Sequence, residues 1–122
     1  MSDEDDLRAI AERAFDLARK GHTEALLAYL DAGLPVDLVG GGGDSLLMLA
    51  AYHGHVETVR ALVGRGADVN LRNDRDQSPL AGAVFKGFGA VVAVLSEAGA
   101  DPDAGSPSAR QVAAMFGRDV IG

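Results

Sequence analysis

Cysteine and tryptophan are absent from this chain of 122 residues, and aromatic residues make up only 5% of it. Without cysteine the chain can form no disulfide, no thiolate metal site and no cysteine nucleophile. No stretch approaches the ~20 consecutive apolar residues that a membrane-spanning helix needs. Because apolar residues still amount to 48%, we expect one domain whose core consists of alanine, leucine and valine.

Positive charge is also scarce, since 11 Lys and Arg residues stand against 18 Asp and Glu residues and leave a net charge of −7. This balance argues against a nucleic-acid partner, because binding to phosphates depends on clustered Lys and Arg. Four of the acids fall in the opening MSDEDDL, where a secretory signal would instead begin with positive charge. We expect a cytoplasmic monomer that binds neither nucleic acid nor membrane.

The chain repeats itself at an interval of 33 residues. Placing residues 45–70 above residues 78–103 aligns a serine at the start, a glycine in the middle and Gly-Ala-Asp near the end. The same step backward finds a third copy around residues 21–36, and a step shortened to 30 residues finds a fourth around residues 108–118. Four units are therefore predicted, at 1–36, 37–69, 70–102 and 103–122, of which the last is truncated.

Each unit is predicted to contain two short helices. Ser45, Ser78 and Ser108 stand where a hydroxyl would cap a helix start, and Pro79 occupies the first helical position, where a missing N–H costs nothing. The second helices are predicted over residues 23–30, 56–63 and 89–96. Helices this short are marginal alone, so each unit must bury its apolar face against the next. The predicted fold is an all-α stack of helix-turn-helix units joined by hairpin-like loops.

The stretch AAYHGHVETVRALVGRGADVN, residues 50–70, has Gly-His between its helices and Gly-Ala-Asp-Val-Asn after them. A 33-residue unit with these features resembles the ankyrin repeat, and the resemblance extends over residues 13–118. It implies an ankyrin-repeat solenoid with no catalytic residues and no cofactor. The family's Thr-Pro-Leu-His opening lacks its histidine here, which implies fewer hydrogen bonds between units and more dependence on apolar packing.

The run GGGGDS, residues 40–45, allows three interpretations. It lies in register with residues 73–78, which the resemblance places in the hairpin between units, so the glycines are predicted to form a turn. A phosphate-binding loop is disfavoured because Asp44 follows the glycines where a lysine is required. The Gly-Asp-Ser-Leu sequence also matches a hydrolase motif, but no histidine follows His55 to act as the base. Ser45 is better explained as a helix cap, and a Ser45-dependent hydrolase stays an alternative.

Two of the three histidines, His53 and His55, are close enough in sequence to suggest metal binding. They could chelate a metal if a carboxylate such as Asp44 came near. However, the resemblance assigns His22 and His55 to the turn between helices, so that only His53 lacks a packing role. We therefore expect no metal site.

The resemblance places the binding surface in a concave groove lined by the hairpin tips and by the exposed side of the first helices. The candidate partner-binding residues are Arg72, Asn73, Asp74, Arg75, Asp76 and Gln77 on one hairpin, with Tyr52, His53, Phe85, Lys86, Met115 and Phe116 near the helix ends. Tyr52, Phe85 and Phe116 repeat at one register, and aromatics flanked by Arg and Lys are typical of an interface centre. The chain is thus predicted to be a non-catalytic adaptor or regulator that docks an unidentified partner protein.

Two other interpretations stay open. The aromatic rings could pack between units instead of facing a partner. The chain could also be an engineered or purely structural scaffold, because the glycine run replaces the polar residues of the equivalent hairpin. High alanine, glycine and arginine with only two lysines is compatible with a bacterial source of GC-rich codon usage.

Overall fold

The computed structural model describes residues 3–117 of the chain, which contain seven α-helices and a single isolated β-bridge. The helices are α1 (Asp3–Lys20), α2 (Thr23–Asp31), α3 (Leu46–Tyr52), α4 (Val56–Gly64), α5 (Pro79–Lys86), α6 (Gly89–Glu97) and α7 (Ala109–Met115). None of these helices is both long and apolar enough to cross a membrane. The predicted last unit, residues 103–122, is described only as far as Gly117, and residues 118–122 lie outside the described part.

The helices form two layers. The inner layer consists of α1, α3, α5 and α7 side by side in chain order, and the outer layer consists of α2, α4 and α6. The two helices of a pair also pack on each other, so each pair contacts mainly its neighbours along the chain. This linear arrangement is that of a solenoid, and it confirms the predicted all-α stack.

The inner helices begin where the serine pattern predicts. The Oγ atoms of Ser45, Ser78 and Ser108 each accept a hydrogen bond from the backbone N–H three residues on, at 3.0, 3.0 and 3.2 Å. Gln111 completes a capping box at α7 by accepting from the backbone N–H of Ser108. All three serines are buried, so the cap satisfies amides that water does not reach. The outer helices end one residue later than predicted.

Leucine, valine and alanine build the core, as the composition predicts. Leu47 and Leu80 lie at the same position of successive inner helices, and Leu62 and Leu95 do so in the outer helices; each is at most 1% exposed. Small residues such as Ala50 let the inner helices pack side by side. The core therefore runs along the whole stack instead of forming one central cluster.

Hydrogen bonds also join successive units. Asp37 Oδ1 accepts from the backbone N–H of Asp68 at 2.9 Å, and Asn70 Oδ1 accepts from that of Asp101 at 2.7 Å. Both bonds span 31 residues, so they are the same contact made twice. Side chains after the outer helices thus supply inter-unit bonds, although the family's helix-opening histidine is absent.

Candidate partner-binding groove

Two hairpin turns project between the units and stack on each other. In the first, Val39 and Ser45 form an antiparallel bridge and the N–H of Gly40 donates to the carbonyl of Asp44 at 3.0 Å. The second is closed between Asn73 and Gln77 at 3.1 Å. The tips are linked because a backbone N–H in the second hairpin, at residue 74, donates to a carbonyl in the first, at residue 42, at 2.9 Å. The glycine run therefore forms the predicted turn.

Packing explains much of the glycine run. Gly43 has a φ of +78°, and a Cβ at this position would lie 2.9 Å from the backbone nitrogen of Asp74. A Cβ at Gly40 would lie 3.0 Å from the ring of Phe15. At Gly41, by contrast, no described atom lies within 4 Å of the Cβ position. Contact with Asp74 and a positive φ thus favour glycine at position 43, and the ring of Phe15 crowds any side chain at position 40.

Asn73 does not have the exposed position that the sequence analysis gave it. Its side chain is only 8% exposed, and Nδ2 donates to Asp44 Oδ1 at 2.9 Å and to Gln77 Oε1 at 2.8 Å. Its Oδ1 accepts from the backbone N–H groups of Arg75 and Gln77 at 3.0 Å each. Because both ends of the amide are engaged inside the protein, Asn73 holds the hairpin in shape and offers no group to a partner.

The other predicted hairpin residues lie at the tip. Arg72 and Asp76 form an ion pair of 3.0 Å in which both side chains are about half exposed. Asp74 and Arg75 are exposed beside them. Gln77 is half-buried and lines the hollow described next. The hairpin therefore forms a polar rim, with Gln77 as its link to the inner helices.

A hollow of about 310 Å³ lies along α3, α5 and α7. We call it the aromatic hollow. Five of the predicted binding residues, Tyr52, Gln77, Phe85, Met115 and Phe116, line it together with Met48, Ala81, Gly82, Pro107 and Val112. None of these ten lining residues carries a formal charge. The structure thus brings together side chains that lie more than sixty positions apart in the sequence.

The large apolar side chains of this hollow are each partly buried against a neighbour and partly exposed to solvent. Tyr52 is 39% exposed, Phe85 48%, Phe116 49% and Met115 67%. The rings of Phe85 and Phe116 lie 5.8 Å apart, and Lys86 Nζ lies 5.0 Å from the ring centre of Tyr52. Tyr52 and Phe85 therefore each contact the next unit, Phe116 contacts the preceding one, and each ring keeps much of its surface exposed. Packing between units accounts for part of each side chain and leaves the rest exposed.

The predicted register of Phe116 is wrong by one residue. When the helix caps Ser78 and Ser108 are aligned, Phe85 corresponds to Met115, and Lys86 corresponds to Phe116. Phe116 contacts Phe85 of the preceding unit, and in the same way Lys86 contacts Tyr52 of the unit before it. The apolar row at one register is thus completed by Met115, while Phe116 occupies the position that contacts the preceding ring.

A second hollow, of about 610 Å³, lies between α1, α3 and the first hairpin, and the sequence analysis missed it. We call it the charged hollow, since Arg8, Glu12, Asp16, Arg19 and Asp44 line it. Asp16 and Arg19 form an ion pair of 2.8 Å. The 33-residue interval contained the necessary signal, because it places Arg19 in register with the ring at position 52. Both hollows are lined by inner helices and by hairpin residues, and we call the surface that contains them the groove.

His53 has a packing role that the sequence did not reveal. Its Nδ1 donates to the carbonyl of Leu49 at 2.8 Å, and its ring stacks on that of His55 with the centres 6.4 Å apart. His55 in turn uses Nε2 to donate to the carbonyl of Arg19 at 2.6 Å. His53 lies beside the aromatic hollow but is not among its lining residues. Both imidazoles are thus engaged with backbone carbonyls.

The hydrolase interpretation of Ser45 finds no support in its geometry. The residue is 2% exposed, and its Oγ accepts the capping hydrogen bond from the N–H of Met48. His53 lies at the opposite end of α3, about 12 Å away along the helix axis. The serine therefore serves as a helix cap.

Comparison with known proteins agrees with this architecture. A family model for ankyrin repeats, in three copies, matches residues 15–106. A Pseudomonas aeruginosa protein named as an ankyrin repeat protein is 56% identical over 39 residues, which are 32% of this chain and 23% of that protein. The crystal structure of the human ASB11 ankyrin repeat domain is similar with a TM-score of 0.69 at 35% identity, covering 73% of this chain and 40% of that one. The chain thus spans less than half the length of either relative.

Proposed function

Because this chain belongs to the ankyrin-repeat family, whose members are generally protein–protein interaction modules, we propose that it binds a partner protein in the groove of its inner helices. The observation that carries the proposal is the aromatic hollow, where four large apolar side chains are 39 to 67% exposed around an uncharged wall. Contiguous apolar surface of this kind marks interaction sites on soluble proteins. In this proposal the chain is a non-catalytic adaptor or regulator.

The energetics favour the hollow acting as one unit. A half-exposed aromatic ring leaves on the order of 100 Å² to bury, which is worth about 2.5 kcal/mol at ~25 cal/mol per Å². Association itself costs at least about 4 kcal/mol in lost translational and rotational freedom. One ring therefore cannot hold a partner alone, whereas Tyr52, Phe85 and Phe116 together can hold it reversibly.

The hairpin tips supply the rim of the proposed interface. Arg75 and Asp74 are exposed and polar, which suits the solvated edge that surrounds an interface core. The glycine tip of the first hairpin has no side chains to offer, so we assign it little of the binding energy. Specificity would come from the second hairpin and affinity from the aromatic hollow.

Site-specific photo-crosslinking tests the proposal. Phe85 is replaced by a photoreactive phenylalanine analogue and the chain is irradiated in its source cells. The matched control carries the same analogue at Arg60, which is exposed on α4 and outside both hollows. We expect one protein to be crosslinked from position 85 and not from position 60. Equal crosslinking from both positions, or none from position 85, would contradict groove binding.

A further inference from the structure

Charge is distributed unevenly along the groove. The ten residues that line the aromatic hollow are uncharged, whereas five of the eleven that line the charged hollow are ionisable. Those five comprise three carboxylates and two guanidinium groups, and one of each is already joined in the pair between Asp16 and Arg19. Of the remaining three, Glu12 and Asp44 are acidic and Arg8 is basic. The groove is therefore apolar at one end and weakly acidic at the other.

The start of α1 strengthens this polarity. Its first turn contains four acidic residues, Asp3, Glu4, Asp5 and Asp6, and the same helix forms one wall of the charged hollow. The chain as a whole carries a net charge of −7. Acidic surface at one end of a groove attracts a basic segment and orients it during encounter.

We propose that the groove binds a single basic segment of a partner protein, with a bulky apolar residue in the aromatic hollow and Lys or Arg over the charged hollow. This inference rests on the proposed function and specifies the partner's chemistry. An acidic segment would be repelled by Glu12 and Asp44. A second copy of this chain would bring the same acidic α1 and the same net charge, so it fits less well.

The spacing of the two anchors follows from helix packing. Neighbouring helices lie about 8–10 Å apart. The charged hollow is centred between α1 and α3 and the aromatic hollow on α5, so the two centres are about one and a half helix spacings apart, or roughly 12–15 Å. An extended chain covers about 3.3–3.6 Å per residue. The basic residue should therefore stand about four positions from the apolar anchor.

Selection from a phage-displayed library of random 15-residue peptides tests this inference. The library is panned on the wild-type chain after depletion on a chain carrying Phe85→Ala and Phe116→Ala, whose helical content is first checked by circular dichroism. We expect the recovered peptides to carry Leu, Phe, Ile or Trp and a Lys or Arg about four positions away. Recovery of acidic peptides, or of no peptide that depends on the groove, would overturn the inference.

A charge variant then tests whether the charged hollow attracts the basic residue, using the recovered peptide that binds best. Glu12→Gln should weaken its Kd about threefold at 50 mM NaCl, whereas Glu57→Gln, an equally exposed acid on α4, should leave it unchanged. The difference should vanish at 1 M NaCl, where the Debye length is about 3 Å. If Glu12→Gln leaves the Kd unchanged or tightens it, the inference fails.

The two proposals can fail separately. Crosslinking from position 85 to a protein whose contacting segment is acidic or uncharged would keep the proposed function and overturn the inference. Groove-dependent association of two copies of the chain, detected by analytical ultracentrifugation and abolished by Phe85→Ala, would also overturn it. Loss of all crosslinking from position 85 would remove the proposed function itself.

Discussion

The two hairpins reach the same backbone shape with different residues. Gly43 and Asp76 are equivalent positions, and their φ angles are +78° and +61°. Aspartate tolerates this left-handed region better than most residues, and its carboxylate here also pairs with Arg72. The stacking of one hairpin on the next therefore demands a left-handed residue at this position in each unit.

The glycine run contains its own matched pair of test positions. Gly43→Ala should lower the free energy of unfolding by about 2 kcal/mol, because alanine disfavours a positive φ and its Cβ would crowd the backbone of Asp74. Gly41→Ala should change it by less than about 0.5 kcal/mol, since the space around its Cβ position is open. Urea unfolding followed by circular dichroism measures both. Equal losses would show that the run is not held by contact between hairpins.

Asn73 makes the second prediction at this scale. Asn73→Ala removes two donated and two accepted hydrogen bonds and leaves backbone amides of the hairpin unpaired, so we expect a loss of about 1–3 kcal/mol. Arg72→Ala breaks only the half-exposed ion pair with Asp76 and should cost under about 0.5 kcal/mol. Thermal and urea unfolding distinguish the two. A neutral Asn73→Ala would return that side chain to the list of candidate binding residues.

The difference between Asn73 and its hairpin neighbours could not be predicted from local sequence. Its burial depends on Asp44, which comes from the preceding hairpin 29 residues earlier. The equivalent position in that hairpin is Gly40, where a Cβ would lie 3.0 Å from the ring of Phe15 and so would be crowded. Gly40 and Asn73 occupy the same position of the repeat. The glycine in the first hairpin thus hinted that residue 73 faces inward in the second.

Inner and outer helices begin by different means. The inner helices α3, α5 and α7 start at serine caps, whereas His55 and Phe88 precede outer helices without any capping hydrogen bond from the side chain. Their rings instead lie against Gly21 and Gly54 of the preceding unit, where a Cβ would come within about 3 Å of them. Local chemistry therefore fixes the start of one helix in each unit, and contact with the neighbouring unit fixes the other. This explains why serine spacing predicted the inner helix starts so closely.

Serine caps at equivalent positions should contribute equally to the free energy of unfolding. Ser45→Ala and Ser78→Ala each remove a buried hydroxyl that accepts a hydrogen bond at 3.0 Å, so each should lower the free energy of unfolding by about 1 kcal/mol. The exposed Ser96, inside α6, is the matched control, and Ser96→Ala should be neutral or slightly stabilising. Chemical unfolding of the three variants checks this. A loss at Ser78 without one at Ser45 would reopen the question of what the Ser45 hydroxyl does.

At the scale of the whole molecule, a single position of the repeat contributes one lining residue of the groove from each inner helix. Arg19, Tyr52, Phe85 and Met115 occupy the same place in successive inner helices, and each lines one of the two hollows. The repeat interval predicted the fold and most of this row, because it tells which positions repeat and hence which face outward. The repeat interval did not predict the exposed fraction of each ring, because that fraction depends on which side chain of the next unit packs against the ring.

The linear stack also predicts which units a destabilising substitution in the core affects. Leu62 and Leu95 stand 33 residues apart at the same position of α4 and α6, and both are fully buried. Either change to alanine removes the same atoms and should cost about 2–5 kcal/mol locally. However, α4 lies between α2 and α6, whereas α6 packs on α4 alone among the outer helices that the structure describes. The two variants therefore weaken different numbers of inter-unit contacts.

We expect Leu62→Ala to raise amide hydrogen exchange in every unit, because a defect in the middle of a one-dimensional array uncouples both sides. Leu95→Ala should raise it mainly in α5, α6 and α7 and leave α1 to α3 close to wild type. Arg60→Ala, an exposed change on α4, is the control and should alter neither region. Exchange followed by mass spectrometry resolves the units. Identical exchange patterns for the two leucine variants would mean that the stack unfolds as one cooperative block, whose units do not melt separately.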